Sequence, residues 1–520
     1  MTSVLPSPVT TSTAGAMPAL ASYGQPRLLA GLGTGAGWTG RLDRVRHLTV
    51  HGSLPDLRAE ELVGLAENID LRGRGGAGFP FARKLRAVIE SAFRRQEART
   101  AIVVNGSEGE PSCLKDTALL LYSPHLVLDG ALLAARALGA DEVTVAVTRA
   151  DVERSVLDAA AERGPANPRV RVVRHPQRFV SGESTALVNG LNQLPVLPSG
   201  RSIRSSESGV AGLPTLLSNT ETFAQFAVSA RLGALEYRAV GLPTEPGTVL
   251  LTVAGERVVE TPTGAPLAYL LGLCGLDPGQ GVLVGGYHGK WLDKDAAWTA
   301  RVSRESLTAL GSAFGAGAVL PLPEETCPVG ELVRVARWMA KESAGQCGPC
   351  VLGLPALADA LARAADGGGE AALETVRARS AAVTKRGACS HPDGTARLVV
   401  SALETFPEEF AEHARGRGCG RPVLGRLAVP GEVTGTGGGR GIRAGRAGDT
   451  AVREQKKERL IVNWTLCQGH GLCAGLVPDV IQLDSDGFPA TASAEVPAYQ
   501  RKQAQRAVRR CPALALRIEE

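Results

Sequence analysis

Aromatic side chains make up only 4% of the 520 residues and methionine occurs three times, so the cores must be built from Leu, Val and Ala within a hydrophobic share of 44%. No apolar run reaches the roughly 18 to 20 residues that a membrane-spanning helix needs. The first 40 residues are rich in Thr, Ser, Pro, Gly and Ala, without a basic stretch leading into an unbroken apolar one. That composition reads as a disordered leader (residues 1–40) rather than a secretory signal, and cytoplasmic residence is the expectation. Charge of one sign is lacking too. The balance of 57 Lys and Arg against 52 Asp and Glu leaves +5, and no basic block has interleaved aromatics. No nucleic-acid partner is therefore expected.

What is present is length enough for three or four domains. Ten cysteines are distributed unevenly: Cys347, Cys350 and Cys389 form one group, Cys467, Cys473 and Cys511 another. Short cysteine spacings in a large chain without secretory features point to metal or redox chemistry rather than disulfides. Cys113, Cys274, Cys327 and Cys419 stand alone and read as small buried or loop thiols.

Residues 41–241 alternate helix and strand: helices are predicted over 60–68, 82–93 and 124–138, strands over 101–104, 142–147 and 170–173. Alternation at this interval implies βαβ units and a parallel sheet. Residues 242–318 hold short strands and turns, a small β-rich module, and 319–418 are dominated by helical periodicity. The Thr-, Gly- and Arg-rich run at 434–448 marks 419–457 as a flexible linker. A unit of 458–520 follows, small for an independent core, in which a cluster would act as a staple.

That last unit reads Cys467-Gln-Gly-His470-Gly-Leu-Cys473, then Cys511-Pro512. Two thiolates with five residues between them and a third returning from a distant helix can converge on one small cluster, and proline after the final cysteine recurs in ferredoxins. The segment resembles the small single-cluster bacterial ferredoxins that often serve monooxygenases. In their usual four-iron pattern a cysteine stands where His470 stands here. The resemblance therefore implies a three-iron, four-sulfur (3Fe-4S) cluster on Cys467, Cys473 and Cys511, with a 4Fe-4S form using His470 as the alternative. A zinc site on the same donors is the competing reading.

The sharpest N-terminal signal is Leu71-Arg-Gly73-Arg74-Gly75-Gly76-Ala-Gly78-Phe79-Pro80, a loop whose backbone can approach a phosphate closely. It is followed by Asn105-Gly-Ser107-Glu108-Gly109-Glu110-Pro111, Lys115-Asp116, Gly182-Glu183-Ser184-Thr185, Asn219-Thr220-Glu221-Thr222 and Ser343-Ala344-Gly345-Gln346-Cys347-Gly348-Pro349-Cys350. In that order these segments resemble the NADH-oxidising flavoprotein subunit of respiratory complex I, found also in NAD-linked hydrogenases and formate dehydrogenases, over roughly 45–415. The resemblance implies a multidomain α/β chain: a Rossmann-like FMN domain, a β-grasp (SLBB-like) module, a helical iron–sulfur domain and the C-terminal α+β ferredoxin-like domain. It implies FMN surrounded by Gly73, Arg74, Gly75, Gly76, Lys84, Asn105, Glu108, Gly182, Glu183, Asn219 and Thr220, and Phe79 and Glu110 facing the nicotinamide dinucleotide. Glu108 and Glu183 are the candidate catalytic residues. Electrons from NADH would pass through FMN to the fused cluster and on to a partner such as a monooxygenase or a membrane reductase.

Three positions depart from the family. Ala344 replaces the first cysteine of the helical site, leaving Cys347, Cys350 and Cys389 to hold a second cluster or none. Ser107 and Ser184 replace acidic residues, which should raise the flavin potential. Ala87 and Arg204 stand near positions where the family has the phenylalanines of its adenine clamp, and Arg204 suits either solvent or the 2′-phosphate of NADPH.

Overall fold

The computed structural model describes residues 18–33, 40–97, 99–165, 168–200, 203–430, 458–467, 469, 471–484, 486–511 and 515–519. His470, Pro512 and the run at 434–448 lie outside the described residues. The chain divides into two compact units, 1–197 with 202–323 and 198–201 with 324–520.

In the first unit a short strand, β1 (Ala19–Ser22), precedes helices α1 (Arg44–His51), α2 (Ala59–Asn68) and α3 (Phe81–Arg94). Strand β2 (Ala101–Gly106) leads to α4 (Lys115–Tyr122) and α5 (Pro124–Leu138), then β3 (Glu142–Val147), α6 (Ala150–Glu162), β4 (Arg169–Arg174), α7 (Ser184–Leu191), β5 (Thr215–Asn219) and α8 (Thr220–Arg238). Helix α5 opens on a proline and ends at Gly139 in the left-handed conformation, the usual pairing of start and stop signals. Nearly all of its residues are buried, so it serves as the core helix behind the sheet. Among the described residues no single helix is long and apolar enough to cross a membrane.

Strands β2 to β5 form one parallel sheet in the order β4-β3-β2-β5. The chain winds from β2 outward to β4 and then returns to the other side of β2, which makes the gap between β2 and β5 a topological switch point. Ligands of open α/β sheets lie beyond the carboxyl ends of the strands at such a point. Behind the sheet, Asp129 accepts from His47 at 2.7 Å and Arg163 at 2.6 Å and also meets Arg231. Burial alone would raise its carboxyl, but the His47 hydrogen bond and the arginine charges hold it well below the ordinary range.

Residues 248–322 build a mixed six-stranded sheet with β1 at one edge. From that edge inward come Arg257–Pro262, Thr248–Val253, Ala318–Leu322, Gly281–Val284 and Lys290–Asp293. Here the expectation of a disordered leader over 1–40 needs correction. Strand β1 pairs in parallel with Arg257–Pro262, and Leu28 and Leu29 are fully buried. The buried Glu260 accepts the backbone N–H groups of Arg27 at 3.0 Å and of Leu28 and Leu29 at 2.9 Å, so one carboxylate fixes three consecutive residues. An apolar pair as short as Leu28-Leu29 carries no periodicity, so the sequence alone did not expose it.

The second unit contains the helices Pro328–Lys341, Leu354–Ala365, Gly369–Val383, His391–Thr405 and Pro407–Ala414. The first stretch of the expected linker is held on them. Buried Glu331 accepts from the N–H groups of Gly425 at 2.6 Å, Arg426 at 3.0 Å and Leu427 at 3.3 Å. Residues 458–519 add a three-stranded antiparallel sheet with Arg459–Val462 between Ser493–Glu495 and Leu516–Glu519. Helix Arg501–Arg510 packs Ala504 and Ala507 into its core with Leu460, Val477 and Ile481.

Candidate functional site

The carboxyl ends of β2 and β5 gather most of the residues that the sequence singles out. The loop before α3 closes on itself through the Gly73 N–H to the Phe79 carbonyl at 2.9 Å. The Arg74 side chain is buried, its backbone N–H donating to Thr222 Oγ1 at 3.0 Å and its guanidinium lying 3.8 Å from Glu221. Gly75 lies so close to Asn219 that an added Cβ would stand 3.2 Å from the Asn219 Cβ. Gly76 has φ +105° and bridges to Gly315, a conformation that excludes other residues without strain.

Asn105, at the end of β2, donates to the Gly182 carbonyl at 2.9 Å and accepts the Ser107 N–H at 3.1 Å. Its own carbonyl receives the Thr220 hydroxyl at 3.1 Å. Asn219, at the end of β5, caps α8 through Glu221 N–H at 3.0 Å. Gly182 is packed on the loop after β2: an added Cβ would stand 2.8 Å from the Ser107 carbonyl oxygen. Segments far apart in the chain are thus tied to one strand-end crevice, with Phe79 partly exposed at 38% on its rim.

The two candidate catalytic carboxylates are engaged by backbone. Glu108 accepts from the N–H groups of Asp116 at 3.1 Å and Thr117 at 2.9 Å, holding the start of α4, and burial with the Asp116 charge pushes its carboxyl up. Glu183 accepts from Thr185 and Ala186, both at 2.9 Å, as the N-cap of α7. Both carboxylates thus anchor the first turn of a helix at the pocket. Glu110 accepts the Tyr287 N–H at 2.7 Å, and burial pushes its carboxyl up to about 8.

Lys84 and Ser107 in this crevice lack the partner that burial calls for. The Lys84 ammonium donates to the Leu217 carbonyl at 3.0 Å, and among the described residues no carboxylate pairs with it; burial pulls its pKa down. The buried Ser107 hydroxyl has no hydrogen-bond partner among the described residues. A half-buried cation and an orphaned hydroxyl beside a glycine cradle suit a phosphorylated, hydrogen-bonding ligand such as FMN. Lys115 differs, being saturated by Asp116 at 2.9 Å and Glu221 at 3.1 Å. Ser184 and Arg204 are exposed.

In the second unit Cys347 and Cys350 are buried, 7% and 2% exposed, on the turn that enters Pro349–Gly353. The Cys350 S–H holds Cys347 below the usual thiol range against the effect of burial, and the Ala388 N–H assists. Cys350 is pushed up by that hydrogen bond, by burial and by the charges of Cys347 and Cys389. Cys347 and Cys350 are thus hydrogen-bonded neighbours, and Cys389 acts on Cys350 through its charge. Cys467, Cys473 and Cys511 each pack against the C-terminal core. Burial pushes Cys473 up, with Cys467 and Cys511 adding to the effect. Both trios have the donor chemistry of an iron–sulfur site.

One group escaped the sequence reading. Cys327, His413 and Cys419 place their donor atoms within 4.8 Å of one another, with Cys327 Sγ 3.3 Å from His413 Nε2. His413 Nδ1 lies 3.0 Å from the Ala365 carbonyl, so it carries the proton and leaves Nε2 free to ligate. Cys327 and Cys419 looked isolated because their common neighbour is 86 residues from Cys327. Two thiols and an oriented imidazole can bind zinc, with a fourth position for water.

The strand-end crevice, the cysteine turn of the helical unit and the small C-terminal domain define an FMN- and iron–sulfur-type electron carrier. Comparison with known families agrees. Residues 66–228 match the Nuo51 FMN-binding domain, 331–413 the NADH-ubiquinone oxidoreductase-F iron-sulfur binding region, and 460–518 a 4Fe-4S single cluster domain. The chain is 28% identical over 391 residues to an F-type subunit of the NADH-quinone oxidoreductase of Rhizobium meliloti, covering 71% of this chain and 92% of that one. It is also 28% identical to the NADP-reducing hydrogenase subunit HndC of Solidesulfovibrio fructosivorans, covering 72% and 81%. A crystal structure of an NAD+-reducing [NiFe]-hydrogenase in the air-oxidized state superposes with a TM-score of 0.65 at 25% identity, covering 76% of this chain and 68% of that one. The same type of hydrogenase in the H2-reduced state gives 0.62 at 26% identity, and there the chain spans 63% of that chain's length. The chain carries the FMN-binding domain and iron–sulfur region of the complex I F-subunit family, followed by a single-cluster ferredoxin domain.

Proposed function

We propose that this chain oxidises NADH, with NADPH as the alternative, at an FMN held at the β2–β5 switch point, and passes the electrons to a ferredoxin-type cluster and then to an electron-accepting partner protein. The observation that carries the reading is the pairing of an unneutralised, half-buried Lys84 with the unpartnered Ser107 hydroxyl in a cradle lined by Gly75, Gly76 and Gly182. FMN, when bound, supplies the exchange of a two-electron donor for one-electron acceptors. The chain's own part is to bind and orient. Lys84 and the glycine loop take the phosphate, Asn105 and Ser107 offer polar contacts to the ring, and Glu110 and Phe79 stand where the nucleotide enters. The mixed sheet at 248–322 is read as the β-grasp module.

For the C-terminal site, three thiolates without a fourth cysteine support a 3Fe-4S cluster, with His470 able to complete a 4Fe-4S form. The match of residues 331–413 to an iron-sulfur binding region supports a second cluster on Cys347, Cys350 and Cys389 despite Ala344. Iron, acid-labile sulfide and flavin analysis of anaerobically purified protein tests these assignments together. One FMN with iron in excess of four atoms per chain supports two clusters, and absence of flavin refutes the reading.

A specific observation favours a second reading, an electron relay that no longer oxidises nicotinamide. Phe79 is the surviving aromatic at the nucleotide side, while Ala87 and the exposed Arg204 offer no ring for adenine. Flavin that stays oxidised with both nucleotides, yet is reduced by a chemical donor, selects it.

A further inference from the structure

Gly348, between Cys347 and Pro349, has φ −52° and ψ −47°, ordinary helical values that any residue adopts. Its lack of a side chain therefore needs a steric reason, and Trp464 gives it. A Cβ at Gly348 would stand 2.2 Å from Trp464 Cδ1 and 2.3 Å from Cγ. The indole lies directly on the backbone between the two buried cysteines.

The same residue is gripped from the third cysteine's side. Arg386, three residues before Cys389, donates its Nη2 to the Trp464 carbonyl. On the ferredoxin side, Trp464 occupies the turn leading into the first cluster cysteine: the Cys467 and Leu466 N–H groups both return to the Asn463 carbonyl, at 3.0 and 3.1 Å. Its ring stacks on Phe488 at 6.2 Å and 20°, and Phe488 in turn fills the space beside Gly469 in the cysteine loop. The Trp464 indole Nε1 is buried without a hydrogen-bond partner among the described residues, a cost accepted only where the ring is needed in that place.

We propose that Trp464 is a fixed clasp seating the ferredoxin domain's cysteine loop on the Cys347–Gly348–Pro349–Cys350 turn, so that electrons cross at this contact instead of being carried by a swinging domain. One electron lost at the Cys347, Cys350 and Cys389 site is gained at the Cys467, Cys473 and Cys511 site, with NADH as the ultimate donor. Trp464 is a positioning residue: it touches both cysteine-bearing loops of one site and leads into the other. A seated domain keeps its partner at a high effective concentration, which a tether alone supplies less well. The electron route rests on the function proposed above; the seat does not.

The test uses the full-length holoprotein and three variants, Trp464→Ala, Arg386→Ala and Trp464→Phe. Hydrogen exchange reports the seat without reference to activity. Trp464→Ala and Arg386→Ala should raise exchange together in the peptides spanning 344–353 and 463–467, while Trp464→Phe stays near wild type. Freeze-quench EPR after NADH should then show reduction of the C-terminal site slowed by about tenfold or more in the two open variants, with flavin bleaching unchanged. Unchanged exchange in both variants overturns the clasp. Raised exchange with wild-type reduction of the C-terminal site overturns the fixed route in favour of a swinging domain. Failure of NADH to bleach the flavin in wild type refutes the oxidoreductase reading instead, and leaves the exchange result standing as the measure of the seat.

Discussion

The Glu110 carboxylate accepts the Tyr287 backbone N–H at 2.7 Å and fills the space a Cβ on Gly286 would need, its oxygens and carbon lying 2.5 to 2.7 Å from that position. The contact ties the loop after β2 to the Gly285-Gly286 turn of the mixed sheet, and it buries an acid that is kept protonated up to about 8. Because the folded-state value is raised above the ordinary 4.5, the protonated form is favoured in the fold. The contribution is complete below pH 4.5 and is lost as pH rises through about 8. Thermal denaturation of the flavin-free protein should therefore show a fall in Tm over that window. Glu110→Gln, neutral at every pH, should flatten it; a slope unchanged in the variant contradicts the assignment.

Lys84 should matter to flavin more than to folding. Replacing it with Met removes a charge-assisted contact worth about 1.5–3 kcal/mol, or roughly 10- to 150-fold in FMN affinity. Fluorescence titration of apoprotein with FMN measures this. Equal affinities would place the phosphate elsewhere.

Ser107 offers a test of the pocket's electrostatics. It stands where the resembled family carries an acid, and its buried hydroxyl has no partner among the described residues. Ser107→Asp should lower the flavin midpoint potential, because a nearby negative charge disfavours the reduced anion. Ser184→Glu should do less, since that residue is exposed. A redox titration in which Ser184→Glu has the larger effect would reverse the ranking.

Gly182→Ala tests the close approach of two loops. The added methyl would meet the Ser107 carbonyl at 2.8 Å. A loss of about 1–3 kcal/mol in stability is expected, accompanied by loss of bound flavin. Full flavin occupancy and wild-type denaturation would show that the loops are free to part.

The Cys327, His413 and Cys419 group should hold about one zinc per chain by mass spectrometry of protein purified without chelator. Cys419→Ser should release it and lower Tm, and iron content should be unaffected. Metal-free wild-type protein with unchanged stability in the variant would leave the trio as simple thiols.

Much of the first unit was legible because its signals are local. Helix 124–138 and strand 142–147 stand where periodicity put them, since the helix carries its own proline start and glycine stop and the strand repeats valine at 143, 145 and 147. The glycine and asparagine segments of the flavin crevice were visible as motifs; their convergence through Asn105, Gly182 and Asn219 was not, because it depends on strand order. The buried N-terminal segment was hidden for a similar reason. Glu260 reads as an ordinary strand acid until its three backbone donors, over 230 residues earlier, are in place. Cys327 and Trp464 were overlooked because each acts through partners far away in the chain.

The most direct measurement of the central claim is an anaerobic visible spectrum of freshly purified protein before and after NADH, then NADPH. Rapid bleaching of the flavin band by one nucleotide, NADH first, is the predicted result, with the broad iron–sulfur absorption falling in step. Bound flavin that neither nucleotide reduces would contradict it and leave the chain as a relay.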